Sequence, residues 1–247
     1  SRCIGGGDSS FYRKMTATGQ SGSGLPSRLH GVPDSLRSWW ARVDPGELER
    51  ITLRSGRSDI IGHLCQQLRK GERILDLGCG PGLLAKEAGR RDIVGVDMSE
   101  GMIQAARKWM DTVLPDNVLE HYPLEPVDCA VLCNVLEPYP AEVRRLVLGH
   151  VFDFLAPGGR VVVAITVAGS AGLGSSGESG LDLIFPTVPG GGIQADALEE
   201  DLVLSGFDVS SAELLEAKTL NHSAVLPGEA PKCERRSYAI IVGHRPK

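Results

Sequence analysis

Between residues 74 and 82 the chain reads Ile-Leu-Asp-Leu-Gly-Cys-Gly-Pro-Gly, a short apolar run carrying one acid, Asp76, and then glycines at three alternate positions, Gly78, Gly80 and Gly82. A short apolar run bounded by turn residues reads as a buried strand, and Leu83–Ala88 behind it, closed by Gly89, reads as a helix. Glycines let the backbone between them turn sharply and let a ligand approach without meeting a Cβ. The helix that follows aims its unpaired N–H groups at the mouth of the turn. A strand-to-helix turn of this kind belongs at the carboxyl edge of a parallel sheet, where open α/β proteins bind their ligands. One stretch therefore constrains both the fold and the place of a site.

The remaining chain supplies a sheet to carry it. Strand patterns lie at Arg73–Leu77, Asp92–Val96, Val118–His121, Val127–Cys133 and Arg160–Val167, with two more candidates at Phe207–Leu215 and Ser237–Gly243. Helical patterns lie between them: Leu83–Ala88, a helix capped by Ser99 and running to about Met110, the segment between Pro140 and Phe154, and Ala195–Ser205. This alternation predicts an α/β fold, doubly wound, with a mostly parallel sheet and helices on both faces. Residues 1–33, rich in Gly, Ser and Pro, read as an irregular arm, and residues 34–71 as a helical cap in which Trp39 and Trp40 are packing anchors. Residues 72–247 form the main domain, interrupted at Ala168–Gly192 by a long Gly-rich loop.

Composition narrows the function classes. No stretch approaches the 18 consecutive apolar residues of a membrane span, and the first residues lack the pattern of a secretory signal. Six cysteines without a single C-x-x-C pair argue for buried thiols in a reducing compartment, so the chain is read as cytoplasmic and without a metal site. The net charge of −5 is uneven: residues 1–73 carry 12 Lys/Arg against 7 Asp/Glu, and the remainder 14 against 24. The acidic body disfavours extended nucleic-acid binding, which needs many phosphate contacts.

Spacing separates the ligands that such a turn can serve. A dinucleotide fingerprint, G-x-G-x-x-G, requires its third glycine at position 83, which is Leu83. Asp76, two residues before Gly78, would repel a pyrophosphate and attract a ligand bearing ammonium and sulfonium charge. A second acid, Asp97, closes the next strand 21 positions after Asp76, where a carboxylate can accept bonds from the two hydroxyls of a ribose. Met98 beside it offers a polarizable face to an adenine ring.

With these residues in place, 72–167 resembles the core of the class I S-adenosylmethionine-dependent methyltransferases. The family's E/D-x-G-x-G-x-G motif corresponds to Asp76–Gly82, its acid at the end of the second strand to Asp97, its fourth strand with a polar end to Val127–Asn134, and its L-x-P-G-G turn to Leu155–Gly159. The resemblance implies S-adenosyl-L-methionine as cofactor and a seven-stranded sheet whose last strand is antiparallel. It places Gly78, Cys79 and Gly80 along the methionine portion, Asp76 near the amino group, Asp97 on the ribose and Asn134 at the methionine end. One departure stands out. The family has an acid and a longer loop after its third strand, closing over adenine, whereas only Tyr122–Pro126 separates the third and fourth strands as read here, leaving His121 and Tyr122 as the nearest equivalents.

A sulfonium methyl is already activated, so the chemistry implied is direct displacement, with alignment and water exclusion as the protein's task. A general base is needed only for a protonated acceptor, and among Glu137, Tyr139, His30 and His222 no catalytic residue is assigned. The first reading is a methyltransferase for a small-molecule acceptor at O, N or C. The alternatives are an enzyme acting on protein or RNA through the basic N-terminal segment, and a non-catalytic or cyclase-type protein binding the same cofactor. Asn134–Tyr139 is not the N-P-P-Y motif of enzymes that methylate exocyclic base nitrogens.

Overall fold

The computed structural model describes residues 42–46, 48–49, 57–119, 121–167, 193–221 and 232–247. The expected arm at 1–33, Trp39 and Trp40, the loop at 168–192, and His30 and His222 lie outside them. The described elements are α1 (Arg57–Gln67), β1 (Ile74–Leu77), α2 (Leu83–Ala88), β2 (Val94–Asp97), α3 (Glu100–Ala106), β3 (Thr112–Pro115), β4 (Val127–Cys133), α4 (Ala141–Phe154), β5 (Leu155–Thr166), α5 (Ala195–Leu204), β6 (Asp208–Asn221) and β7 (Lys232–His244).

The seven strands form one sheet in the order β3-β2-β1-β4-β5-β7-β6. The first five run parallel, and β7 lies antiparallel between β5 and β6. The chain steps outward from β1 to β3, then returns to the other side of β1 as β4. Strand order thus reverses between β1 and β4, which opens a crevice at their carboxyl ends.

Side chains alternate across each strand, so both faces need cover. Leu75, Leu77, Ala130, Leu132, Val161, Val163 and Ile165 face Val147 and Val151 of α4 and Leu198 and Leu202 of α5. Ile74, Cys129, Val131, Val162 and Ala164 face Ile60 and Leu64 of α1, Leu84 of α2 and Ile103 of α3. By this alternation Asp76 falls on the same side as Ile74, among these largely apolar side chains, and it is only 2% exposed.

The sheet differs from the sequence reading at its third strand and in its last hairpin. The third is Thr112–Pro115, not Val118–His121. It is the outermost strand, so Pro115, in register with Asp97, loses no ladder bond that the sheet needs. Val118 and Leu119, read as the start of a strand, lie in a turn instead: the Asn117 side-chain oxygen accepts from the Leu119 N–H at 3.1 Å, and its carbonyl accepts from the His121 N–H at 2.9 Å. The β6–β7 hairpin is also longer than expected, pairing from Asp208↔His244 out to Asn221↔Lys232, whereas β5 accompanies β7 only as far as Thr166↔Tyr238. The outer rungs are largely polar and carry no core signature to read.

One buried cation ties α1 to the sheet. Arg160 on β5 is 2% exposed and donates to both carboxylate oxygens of Glu72, at 3.0 and 2.7 Å, and to the carbonyl of Gln67 at the end of α1. Removing one partner strands the other charge away from water. Arg160→Ala is expected to lower the unfolding free energy by about 3–5 kcal/mol in a urea titration, and Arg160→Met with Glu72→Leu to lower it by less. A single-variant loss below about 1 kcal/mol, the size of a solvated pair, would show that the pair is solvated rather than buried.

Candidate functional site

The glycine bend is built as the spacing demands. Gly78, Gly80 and Gly82 all have left-handed φ, at 71°, 53° and 80°. The N–H groups of Gly78 and Cys79 both donate to the carbonyl of Val96, at 2.7 and 3.0 Å, which folds the bend over the end of β2. The Asp97 carboxylate then accepts from the Gly80 N–H through Oδ2 and from the Ser99 N–H through Oδ1, each at 2.9 Å. One side chain therefore pins both the bend and the entry to α3.

The three glycines have different tasks. A Cβ on Gly78 would stand 2.6 Å from Cγ2 of Val135, so this position must be bare for the segment after β4 to lie against it. A Cβ on Gly82 would approach the Ala106 Cα to 3.1 Å, so Gly82 serves the packing of α2 on α3. Around Gly80 nothing lies within 4 Å of that position. The space there is the cavity.

That cavity, about 1100 Å³ with its open mouth, sits at the carboxyl ends of β1, β2 and β4. Of the residues expected from sequence, Asp76, Gly78, Cys79, Gly80, Asp97, Met98 and Asn134 line it. Gly82, His121 and Tyr122 do not. Gly82 is spent on helix packing. His121 is buried behind the wall, with Nδ1 2.9 Å from Oδ2 of Asp116 and its carbonyl accepting from His150 Nε2 at 2.6 Å. Tyr122 is 51% exposed and lays its ring edge-on to His150, 4.0 Å between centroids. Their displacement follows from the position of β3: with that strand ending at Pro115, the residues beside Asp97 at the cavity rim are Asp116 and Val118. Asp116 also donates its backbone N–H to the carbonyl of Asp97, at 3.1 Å. The sequence signal for Asp116 is an acid directly behind Val113-Leu114-Pro115, obscured by the second short apolar pair, Val118-Leu119, that follows it.

Electrostatics set this cavity apart. Three carboxylates, Asp76, Asp97 and Asp116, line it, and the described residues of its wall include no Lys, Arg or His. Burial, with the charge of Asp97 adding to it, pushes the Asp76 carboxyl up to about 7. Burial also raises Asp97, against the opposing pull of the N–H groups of Ser99, Gly80 and Met98. Burial holds the Cys79 thiol well above the usual range, which disfavours the thiolate form a nucleophile needs.

The opposite wall comes from β4 and the segment after it. Asn134 has φ 54°, uncommon outside glycine, and is locked there by its N–H to the Ala164 carbonyl at 2.9 Å and by the Thr166 hydroxyl on its Oδ1 at 3.3 Å. Glu137 does not line the cavity; its Oε1 accepts from the Thr166 N–H at 3.0 Å and braces the same turn. Tyr139 does line it, with a hydroxyl pushed up to about 12 by burial. Leu48, Ile61, Leu64, Val135 and Pro138 complete an apolar side. Among the described residues no cluster of His, Cys, Asp and Glu could hold a metal ion, and no helix is long and apolar enough to cross a membrane.

Comparisons with known proteins converge on the same strands. A family model described as a methyltransferase domain matches residues 74–159. A carboxy-S-adenosyl-L-methionine synthase of Chromohalobacter salexigens is 31% identical over 112 residues, 40% of this chain and 42% of that protein. A ubiquinone biosynthesis O-methyltransferase of Alkalilimnicola ehrlichii is 41% identical over 73 residues, 28% of this chain and 28% of that protein. The chain thus matches less than half the length of either relative. A solved SAM-dependent methyltransferase of Thermotoga maritima has the same fold, with a TM-score of 0.60 at 20% identity over 84% of this chain and 98% of that one. The family match runs from β1 into β5, across every strand whose end carries the acidic cavity, so residues 74–159 are similar to a methyltransferase domain, within a fold shared with the solved methyltransferase.

Proposed function

We propose that this chain transfers the methyl group of S-adenosylmethionine to a small-molecule acceptor, and that the seven predicted residues on the cavity wall, with Asp116 replacing His121 and Tyr122, hold the cofactor. The observation that carries the reading is the charge of the wall: three carboxylates, with no cation among its described residues. A phosphate-bearing ligand would be repelled there, whereas a ligand with ammonium and sulfonium charge is attracted. The open space over Gly80 suits the same ligand, since a backbone without a Cβ permits close approach.

Each group has a task in this reading. Asp76 receives the amino group, with Gly78, Cys79, Gly80 and Asn134 along the methionine chain. Asp97 keeps lone pairs beyond those given to Gly80 and Ser99, and these accept the ribose hydroxyls. The base extends past the ribose, away from the sulfur, and so from β2 toward β3, where Met98 and Asp116 stand. When bound, S-adenosylmethionine supplies a methyl group already activated by its sulfonium. The chain's own work is to align an acceptor with it and exclude water.

The apolar side formed by Leu48, Ile61, Leu64, Val135, Pro138 and Tyr139 supports a compact organic acceptor, and the acidic wall supports one that is neutral or cationic. The test is calorimetry with S-adenosylmethionine and S-adenosylhomocysteine, followed by labelled-methyl transfer to panels of small molecules, protein and RNA. Labelling confined to the macromolecules would replace the small-molecule reading. Cofactor binding without any transfer would favour the non-catalytic alternative.

Asp97→Ala is expected to weaken cofactor binding by about 1.5–3 kcal/mol, the range for hydrogen bonds to a charged group. Unchanged affinity in that variant removes Asp97 from the site.

Asp76 links both stability and binding to pH. Its carboxyl rises from 3.8 to about 7 on folding, so between these values the folded chain holds a proton that the unfolded chain has released. The contribution of Asp76 to stability without ligand therefore falls as pH rises from about 4 to about 7, by up to about 1.4 kcal/mol per pH unit, and Asp76→Asn removes that contribution from the slope. Binding an ammonium group requires Asp76 ionised, so affinity falls as pH drops from 7 to 5, by up to about tenfold per unit. A flat profile for the unsubstituted chain in denaturant titration and calorimetry would contradict this role.

A further inference from the structure

His121 is costly where it stands. It is 5% exposed, and its Nε2 is buried without a hydrogen-bond partner among the described residues. A phenylalanine would fill a similar volume without leaving a polar atom unpaired, an omission worth about 1–3 kcal/mol. A packing role alone does not explain an imidazole here. Its other nitrogen does: Nδ1 lies 2.9 Å from Oδ2 of Asp116, and since an ionised carboxylate can only accept, Nδ1 carries the hydrogen.

His121 is itself firmly held through its backbone: its main-chain N–H donates to the Asn117 carbonyl at 2.9 Å, and its main-chain carbonyl accepts from Nε2 of His150, on α4, at 2.6 Å. Asp116, by contrast, has a side chain 39% exposed at the cavity rim. Besides His121, its carboxylate accepts, among the described residues, the N–H of its own neighbour, Asn117, through Oδ1 at 2.8 Å. A bond to the adjacent residue leaves the side chain's direction loosely defined. The bond from His121 connects it to α4 and the packed core.

The geometry points to His121 as a positioning residue that sets which purine base the cofactor site accepts. By fixing the Asp116 carboxylate with one lone pair of each oxygen free, it presents an acceptor to the base end of the cavity. An amino group on the base is favoured there, and a carbonyl oxygen is opposed by the carboxylate. The inference rests on the cofactor reading above.

The experiment compares S-adenosylhomocysteine with S-inosylhomocysteine, in which the exocyclic amine of the base is replaced by oxygen, by calorimetry at one pH. The unsubstituted chain is expected to prefer the amine by roughly 10- to 100-fold, the equivalent of a hydrogen bond to a charged group. His121→Phe is expected to bring that ratio within about threefold while its thermal midpoint stays level or rises, because the unpaired nitrogen is gone. His121→Asn, which restores an N–H donor, is expected to recover most of the ratio. Asp116→Ala, at a part-exposed side chain, should abolish the preference without relying on a substitution in the buried position. A ratio retained by His121→Phe or by Asp116→Ala overturns the inference, as does equal binding of both ligands by the unsubstituted chain. Binding of neither ligand would instead overturn the cofactor reading, and that outcome is distinct.

Discussion

The Asp97 carboxylate joins three parts of this fold that are separate in sequence. It closes β2, takes the N–H of Gly80 in the bend after β1, and takes the N–H of Ser99 where α3 begins. Two backbone donors that open toward a cavity are thereby satisfied without filling it. The bend keeps its left-handed glycines in place, and the space over Gly80 stays clear. Crossing order supplies the location: β4 returns on the far side of β1, so the strand ends diverge where the bend lies.

This arrangement works against folding at one point. Asp76 projects among largely apolar side chains on the α1 side of β1, and the charge of Asp97 adds to the cost of ionising it. A buried carboxyl beside another acid is unfavourable when ionised. In the function proposed above, the same low dielectric that penalises the isolated charge strengthens its attraction to an ammonium group. Arg160 and Glu72 show the opposite solution at the other end of the sheet, where the paired charge is present from the start and serves only to hold α1 down.

Much of this was legible in sequence because the constraints are local. Three alternate glycines behind an apolar run admit few backbones, and an acid closing the following strand falls beside them in any parallel pairing of β1 with β2. Register confirms it, with Asp76 level with Gly95 and Asp97 one step beyond the last β1 partner, Val96. The base end of the site was not legible for the same kind of reason. Thr112–Pro115 is an edge strand with two apolar residues and a proline, a pattern no stronger than the Val118-Leu119 pair that follows it. That pair lies in a turn held by Asn117. A six-residue displacement of one strand exchanged Asp116 for His121 and Tyr122 and concealed an eleven-residue connection, 116–126, between β3 and β4. Gly82 illustrates a different limit: its place in the motif is plain, but whether a glycine faces ligand or helix depends on Ala106, far along the chain.

A crystal structure with S-adenosylhomocysteine addresses the central claim most directly, because it reads every contact at once. The account predicts the amino group within hydrogen-bonding distance of Asp76, both ribose hydroxyls on Asp97 and the methionine chain lying over Gly80. A ligand seated elsewhere, or one in this cavity with its ribose turned away from Asp97, would contradict it.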